Sequence, residues 1–89
     1  VARYAPTADA DTAEFAVVIA DAWQRLGVAS CLMHIIIVAA ALAGFRQLDG
    51  VILRENTGMI GLSRKLGFRV LTGHGDGPGV IRVRKILAD

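Results

Sequence analysis

Residues 14–30 of the chain read EFAVVIADAWQRLGVAS, and this stretch predicts a β-strand followed by a long α-helix. Its first seven residues alternate large β-forming side chains, such as Phe15 and Ile19, with other residues, which favours a half-buried or fully buried strand. After a short connection, Gly27 opens an apolar segment that ends near Gly44. A glycine at each end, with alanine, leucine and methionine inside, predicts a helix.

The rest of the chain supplies four more strands and one more helix. Asn56 is a good N-cap residue for the second helix, and Gly67 fits the position just after its end. The element order is β-β-α-β-α-β-β, whose central β-α-β unit predicts a parallel, right-handed crossover. We therefore expect one domain, residues 1–89, of the α+β (mixed α/β) class, with helices packed on a mixed sheet. The predicted strands cover residues 1–5, 14–20, 48–53, 68–71 and 80–87, the helices cover 27–44 and 57–66, and a glycine-rich turn at 73–79 makes the last two strands an antiparallel hairpin.

The first helix is unusual because residues 26–45 contain no charged side chain. Twenty apolar residues would also match a membrane span, but the strands on either side need this segment as cover, so we favour a helix buried in a soluble domain. A helix that is apolar all round is normally buried all round. We therefore expect its outer face to pack against another chain, as in a dimer, or against a part of the protein outside this sequence. Ser30 and His34 share one face, where His34 is a ligand or, as we favour, a hydrogen-bonded interface residue.

Composition narrows the function classes further. The chain is 54% hydrophobic and 20% charged, which excludes a disordered chain. A net charge of +2 gives no argument for a nucleic-acid partner. We interpret the cluster of Arg82, Arg84 and Lys85 as a charged strand edge that discourages strand addition.

The single cysteine, Cys31, lies in an apolar run and is predicted to be a core residue of a protein in a reducing compartment such as the cytoplasm. We predict no metal site.

The turn into the first helix has the features of a phosphate site. Gly27 lets a ligand approach the backbone closely, and the first N–H groups of a helix lack internal partners and favour an anion. The small side chains of Ala29 and Ser30 leave room, and Arg25 adds charge. The alternative is a strand–helix turn that binds nothing.

Two motifs in this sequence, Gln24-x-x-Gly27-x-Ala29 and the stretch over residues 56–68, resemble motifs of the GCN5-related N-acetyltransferase (GNAT) family. Gln24-x-x-Gly27-x-Ala29 matches the family's pyrophosphate signature, Gln/Arg-x-x-Gly-x-Gly/Ala, placed between a strand and a long helix. Downstream, residues 56–68 (NTGMIGLSRKLGF) resemble its second half, in which an Asn begins a helix that ends in Gly-Phe. The resemblance covers nearly all of the chain and corresponds to the acetyl-CoA-binding, C-terminal half of the domain. Within the family, the chain is most similar to bacterial protein-lysine acetyltransferases.

The resemblance implies transfer of an acetyl group from acetyl-CoA to an amine, such as a protein lysine. It implies that Glu14 is the general base and that Asn56 lies near the cofactor. The alternatives are that Glu14 is a solvated residue at the start of its strand and that Asn56 serves only as an N-cap. Two departures accompany it: Ser63 stands where many members have a tyrosine general acid, and the family's first strand, two helices and a further strand have no counterpart here. A non-catalytic CoA-binding module and a self-associating fragment are the alternatives. The cofactor-binding residues implied are Val17, Val18 and Ile19 for the pantetheine arm, Gln24, Arg25, Leu26, Gly27, Val28, Ala29 and Ser30 for the pyrophosphate, and Asn56.

Overall fold

The computed structural model describes residues 2–8, 10–17, 26–71 and 77–88. Their elements follow the order predicted from the sequence, and each boundary that the described residues include differs from its prediction by at most two residues. The predicted strand over residues 14–20 is described only as far as Val17, and most of the predicted 73–79 turn lies outside the described residues. The elements are β1 (Ala2–Pro6), β2 (Thr12–Val17), α1 (Leu26–Leu42), β3 (Gln47–Leu53), α2 (Thr57–Lys65), β4 (Arg69–Leu71) and β5 (Val80–Ile86).

The five described strands form one mixed sheet in the order β1-β2-β3-β5-β4. Strands β2 and β3, which flank α1 in the sequence, are parallel, and β4 and β5 form the predicted antiparallel hairpin. The prediction that Arg82, Arg84 and Lys85 mark a sheet edge is wrong, because β5 lies between β3 and β4. Both arginines instead lie near Asp49 on the adjacent strand β3, and Arg82 also lies near Glu14 on β2, one strand further across the sheet.

One face of α1 packs on the sheet through residues that recur every three or four positions. Ala29, Met33, Ile36 and Ala40 are buried, and the last three join the core that the sheet contributes. This spacing places the four side chains on one side of the helix. The hydroxyl of Tyr4 on β1 donates a hydrogen bond to the Ala39 carbonyl at 3.5 Å, which links the helix to that strand. The sheet residues of the core are Ala13, Phe15, Leu48, Ile52 and Val83.

The opposite side of α1 is exposed in the described structure although it is apolar. Leu42 is 83% exposed and Ile35 is 60% exposed, and Val38 and Val28 are exposed to a smaller extent. Cys31 is also exposed, so the prediction that it is a core residue is wrong. The apolar residues encircle this helix, and its sequence therefore does not reveal which side faces the sheet. No helix among the described residues is long and apolar enough to cross a membrane.

The second helix has the predicted caps. The side-chain Oδ1 of Asn56 accepts a hydrogen bond from the Met59 N–H at 3.2 Å, which satisfies one of the free donors of the first turn. At the other end, Gly67 has a φ of 95°, a backbone conformation that suits glycine. These caps fix where α2 begins after β3 and where the chain turns into β4.

A close contact between Phe15 and Gly50 joins β2 to β3. The two residues are paired in the parallel register, and a Cβ atom on Gly50 would overlap the Phe15 ring. The ring also packs edge-on against Phe68, with centroids 5.4 Å apart. Glycine at position 50 is therefore required by the position of this buried ring.

We predict that Gly50→Ala destabilises the protein by about 1–3 kcal/mol, the range for overfilling a packed core. The free energy of unfolding in urea is the measurement. The control is Gly61→Ala in α2, where an added Cβ meets nothing within 4 Å and alanine should stabilise the helix by roughly 0.5–1 kcal/mol. Equal stability of Gly50→Ala and the parent would contradict the assigned contact.

Candidate functional site

Strands β2 and β3 stop pairing before either strand ends. Their register runs from Thr12↔Gln47 to Phe15↔Gly50, yet β2 continues to Val17 and β3 continues to Leu53. Within the described residues, the end of β2 therefore has no register partner in β3. Backbone groups in such a gap are open to hydrogen bonds from an extended ligand.

The first turn of α1 has a geometry that fits an anion. Gly27 and Val28 are exposed, Ser30 is half-buried, and the turn contains no acidic residue. Among the described residues, a Cβ added at Gly27 would meet nothing within 4 Å, so the described structure leaves the space above this backbone open. The unpaired N–H groups of a helix start and its dipole both favour a negative group such as a pyrophosphate. Ala29 is buried, so it would contact a ligand through a hydrogen bond donated by its backbone N–H.

The residues proposed from the sequence are only partly described. Val17 and Leu26 are placed by their backbones, at the end of β2 and at the start of α1. Val18, Ile19, Gln24 and Arg25 lie outside the described residues. The described backbone includes two of the proposed segments. The end of β2 directly precedes residues 18–25 in the chain, and the first turn of α1 directly follows them.

Asn56 is exposed at the start of α2, in the short connection that follows β3. Its Oδ1 is used by the helix cap, so a contact with a ligand would use its amide N–H₂ group. Nearby, Arg54 binds the turn before β5: its backbone N–H and its Nε donate to the carbonyls of Gly79 and Pro78 at 3.0 and 2.7 Å. Sequence reasoning did not single out Arg54, whose partners are more than twenty residues away.

Glu14 projects from the face of the sheet opposite α1, here called the open face. Along β2 its neighbours Ala13 and Phe15 are buried in the core, so the alternation of the strand directs Glu14 to the other side. Its carboxylate Oε2 lies 3.8 Å from Arg82 Nη1, and its side chain is 44% exposed. An exposed carboxylate beside a parted pair of strands is able to accept a proton from a group bound there.

Three further charged residues share the open face with Glu14. Asp49 lies opposite Glu14 in the register and is 3% exposed. Arg84 donates to both of its carboxylate oxygens, from Nε at 2.8 Å and from Nη2 at 2.9 Å. Arg82 Nη1 lies 3.6 Å from Asp49 Oδ2. The sequence analysis missed this cluster, although an aspartate inside the apolar strand LDGVIL was a signal that a charged partner was needed.

Ser63 occupies the position at which the resemblance places a tyrosine general acid in many family members. It is fully buried on α2, and its Oγ has no hydrogen-bond partner among the described residues. A buried serine hydroxyl is a poor proton donor in comparison with a tyrosine phenol. Ser63 therefore does not replace the tyrosine as a general acid.

Comparison with known proteins identifies the fold. No family sequence model matches the chain. The GNAT domain of PAT from S. lividans is 32% identical, with a TM-score of 0.79 over 97% of this chain and 52% of that domain. A GNAT superfamily phosphinothricin acetyltransferase from Sinorhizobium meliloti, solved in complex with acetyl-CoA, is 22% identical, with a TM-score of 0.80 over 98% of this chain and 53% of its own. A ribosomal-protein-alanine N-acetyltransferase from Brucella melitensis is 24% identical, with a TM-score of 0.80 over 97% and 60%.

These structures are all acetyltransferases, and the chain spans little more than half of the length of each. The similarity includes the mixed sheet and both helices, since nearly all of this chain is covered. The chain therefore has the fold of the GNAT acetyltransferase family, over about half the length of such a domain.

Proposed function

We propose that the protein transfers an acetyl group from acetyl-CoA to an amine. The observation that carries this proposal is the parting of β2 and β3 after the Phe15↔Gly50 pair, and the space over Gly27 at the start of α1 in the described structure supports it. The gap suits an extended arm, and the helix start suits a pyrophosphate. Acetyl-CoA has both an extended arm and a pyrophosphate. The resemblance of the sequence to GNAT enzymes and the acetyl-CoA bound to the S. meliloti neighbour support it as the ligand.

In this proposal the cofactor-binding residues follow one path. Val17, Val18 and Ile19 bond the pantetheine arm through their backbones. The pyrophosphate lies on the N–H groups of residues 26–30, with Gln24 and Arg25 beside it, and Asn56 contacts the cofactor through its amide N–H₂ group. The absence of acidic residues from the first turn of α1 and the open space over Gly27 support this path.

Glu14 is the proposed general base. A protonated amine is not a nucleophile, so a proton must leave before the nitrogen attacks the thioester carbonyl. Acetyl-CoA supplies the activated acyl group, and Glu14 accepts the proton directly or through a water molecule. The exposure of its carboxylate on the open face supports access for such a proton transfer.

A protein lysine is the first acceptor to test, because the motifs most resemble those of bacterial protein-lysine acetyltransferases. The neighbours include an enzyme named for phosphinothricin, a small acceptor, and one named for an alanine of a ribosomal protein. Small amines are therefore the second class to test. Binding of acetyl-CoA without transfer to any amine would favour the alternative of a non-catalytic CoA-binding module.

We also propose that the protein is a homo-oligomer, at least a dimer, through the outer face of α1. Val28, Ile35 and Leu42 are seven residues apart, and Cys31 and Val38 lie between them, which is the spacing of a helix-pairing seam. The helix carries no acidic or basic residue in its end turns. An uncharged stripe is complementary to the same stripe on a second copy, related by a two-fold axis.

We predict that Gly27→Val weakens acetyl-CoA binding at least about tenfold, which corresponds to about 1.4 kcal/mol. The added side chain fills the open space over the helix start, where the pyrophosphate is proposed to lie. Calorimetric titration of acetyl-CoA into the purified protein is the measurement. Gly61→Val in α2 is the control, since it makes the same change at another open helical position. Unchanged affinity in the Gly27 variant would contradict the cofactor site.

We predict that Glu14→Gln lowers kcat by about 100-fold or more, the usual contribution of a general base. The affinity for acetyl-CoA should not change, because the residue is proposed to act on the acceptor. Steady-state acetyl transfer and calorimetry on the same preparation separate the two effects. A variant that retains parental turnover would remove Glu14 from the mechanism.

We predict that Ile35→Glu converts the oligomer to a monomer, because pairing would bury a carboxylate without a partner. Sedimentation over a range of protein concentrations is the measurement. The control is Leu53→Glu, which places the same charge at a similarly exposed apolar residue, 54% exposed, on β3. A parent that stays monomeric at the highest concentration would contradict self-association.

A further inference from the structure

We infer that Arg82 is a positioning residue for the Glu14 carboxylate, and this inference rests on the proposed function. Glu14 has a long side chain that is 44% exposed, and an exposed glutamate samples several rotamers. A general base must hold its carboxylate within hydrogen-bond reach of the proton that it accepts. The Glu14 side chain therefore needs a contact that limits its movement. Among the described residues, the guanidinium group of Arg82 lies near its carboxylate.

Arg82 is itself held in place. It belongs to β5, where its neighbour Val83 is fully buried, so the backbone beneath it is fixed by the core. Its side chain is 20% exposed, and Nη1 lies 3.6 Å from Asp49 Oδ2 and 3.8 Å from Glu14 Oε2. One guanidinium nitrogen thus lies between a buried carboxylate and the exposed carboxylate that is proposed to react.

The roles of the two arginines in the cluster differ. Arg84 forms a two-bond fork with Asp49, which satisfies both oxygens of that buried carboxylate. Asp49 therefore keeps a charged partner when Arg82 is replaced, and the fold should survive the change. Glu14, in contrast, loses the cation that fixes its direction. Arg82 is accordingly assigned to Glu14, and Arg84 is assigned to the stability of the sheet.

The test is a double-mutant cycle between Arg82 and Glu14 with acetyl transfer as the readout. We expect Arg82→Ala to lower kcat by about 10-fold to 100-fold, the effect of displacing a catalytic group by about 1 Å. The KM for acetyl-CoA should not change, and Arg82→Lys should restore part of kcat. In the Glu14→Gln background, Arg82→Ala should change the residual rate by less than about threefold, since the group that it positions is already gone.

The matched control is Arg69→Ala. Arg69 lies opposite Arg84 on β4, on the same face of the sheet, and it is exposed. This variant should turn over at the parental rate. Thermal unfolding of every variant checks that the fold is retained, and Arg82→Gln replaces Arg82→Ala if the smaller side chain prevents folding.

Three results would overturn the inference. These are a kcat that Arg82→Ala leaves unchanged, an equal loss in the parental and Glu14→Gln backgrounds, and an increase in the KM for acetyl-CoA that accounts for the whole effect. A parent protein that acetylates no amine gives a different result: it contradicts the proposed function and removes the role of Arg82 with it.

Discussion

The packing of the Phe15 ring over Gly50 is the contact on which the candidate site depends. It lies at the last register pair of β2 and β3, so it marks the point where the two strands part. The ring is buried and is also held by Phe68, which precedes β4. The strands are therefore joined tightly on one side of this contact and separate on the other. A gap produced in this way is fixed at its base, because the core sets the position of the Phe15 ring and of Gly50.

Much of the fold could be predicted from the sequence because local signals agree with each other. Asn56 and Gly67 mark the ends of α2 through side-chain capping and a positive φ, and both effects act within a few residues. The sheet order was not predictable in this way. The position of β5 between β3 and β4 depends on long-range pairing. For this reason the strand that contains Arg82 and Arg84, which was predicted to be a sheet edge, is an interior strand.

The candidate site shows the same division between local and long-range information. The helix-start features at Gly27 and the capping role of Asn56 could be predicted because they arise from neighbouring residues. The charged cluster could not, since Asp49 and Arg84 are 35 residues apart in the chain and meet only when β3 and β5 pair. Likewise, the exposure of Cys31 depends on which side of an apolar helix meets the sheet, and amino-acid types do not distinguish the sides of a helix that is apolar throughout.

The two edge strands of the sheet, β1 and β4, differ in length, so the two edges differ in how many hydrogen bonds they offer to a further strand. Within the described residues, strand β4 has three residues and β1 has five, so the described backbone template for further pairing is longer on the β1 side. Very short edge strands are one way in which proteins limit unwanted strand addition. The β1 edge has less of this protection within the described structure. A further polypeptide segment that extended this sheet would therefore gain more hydrogen bonds next to β1, at the end remote from the charged hairpin.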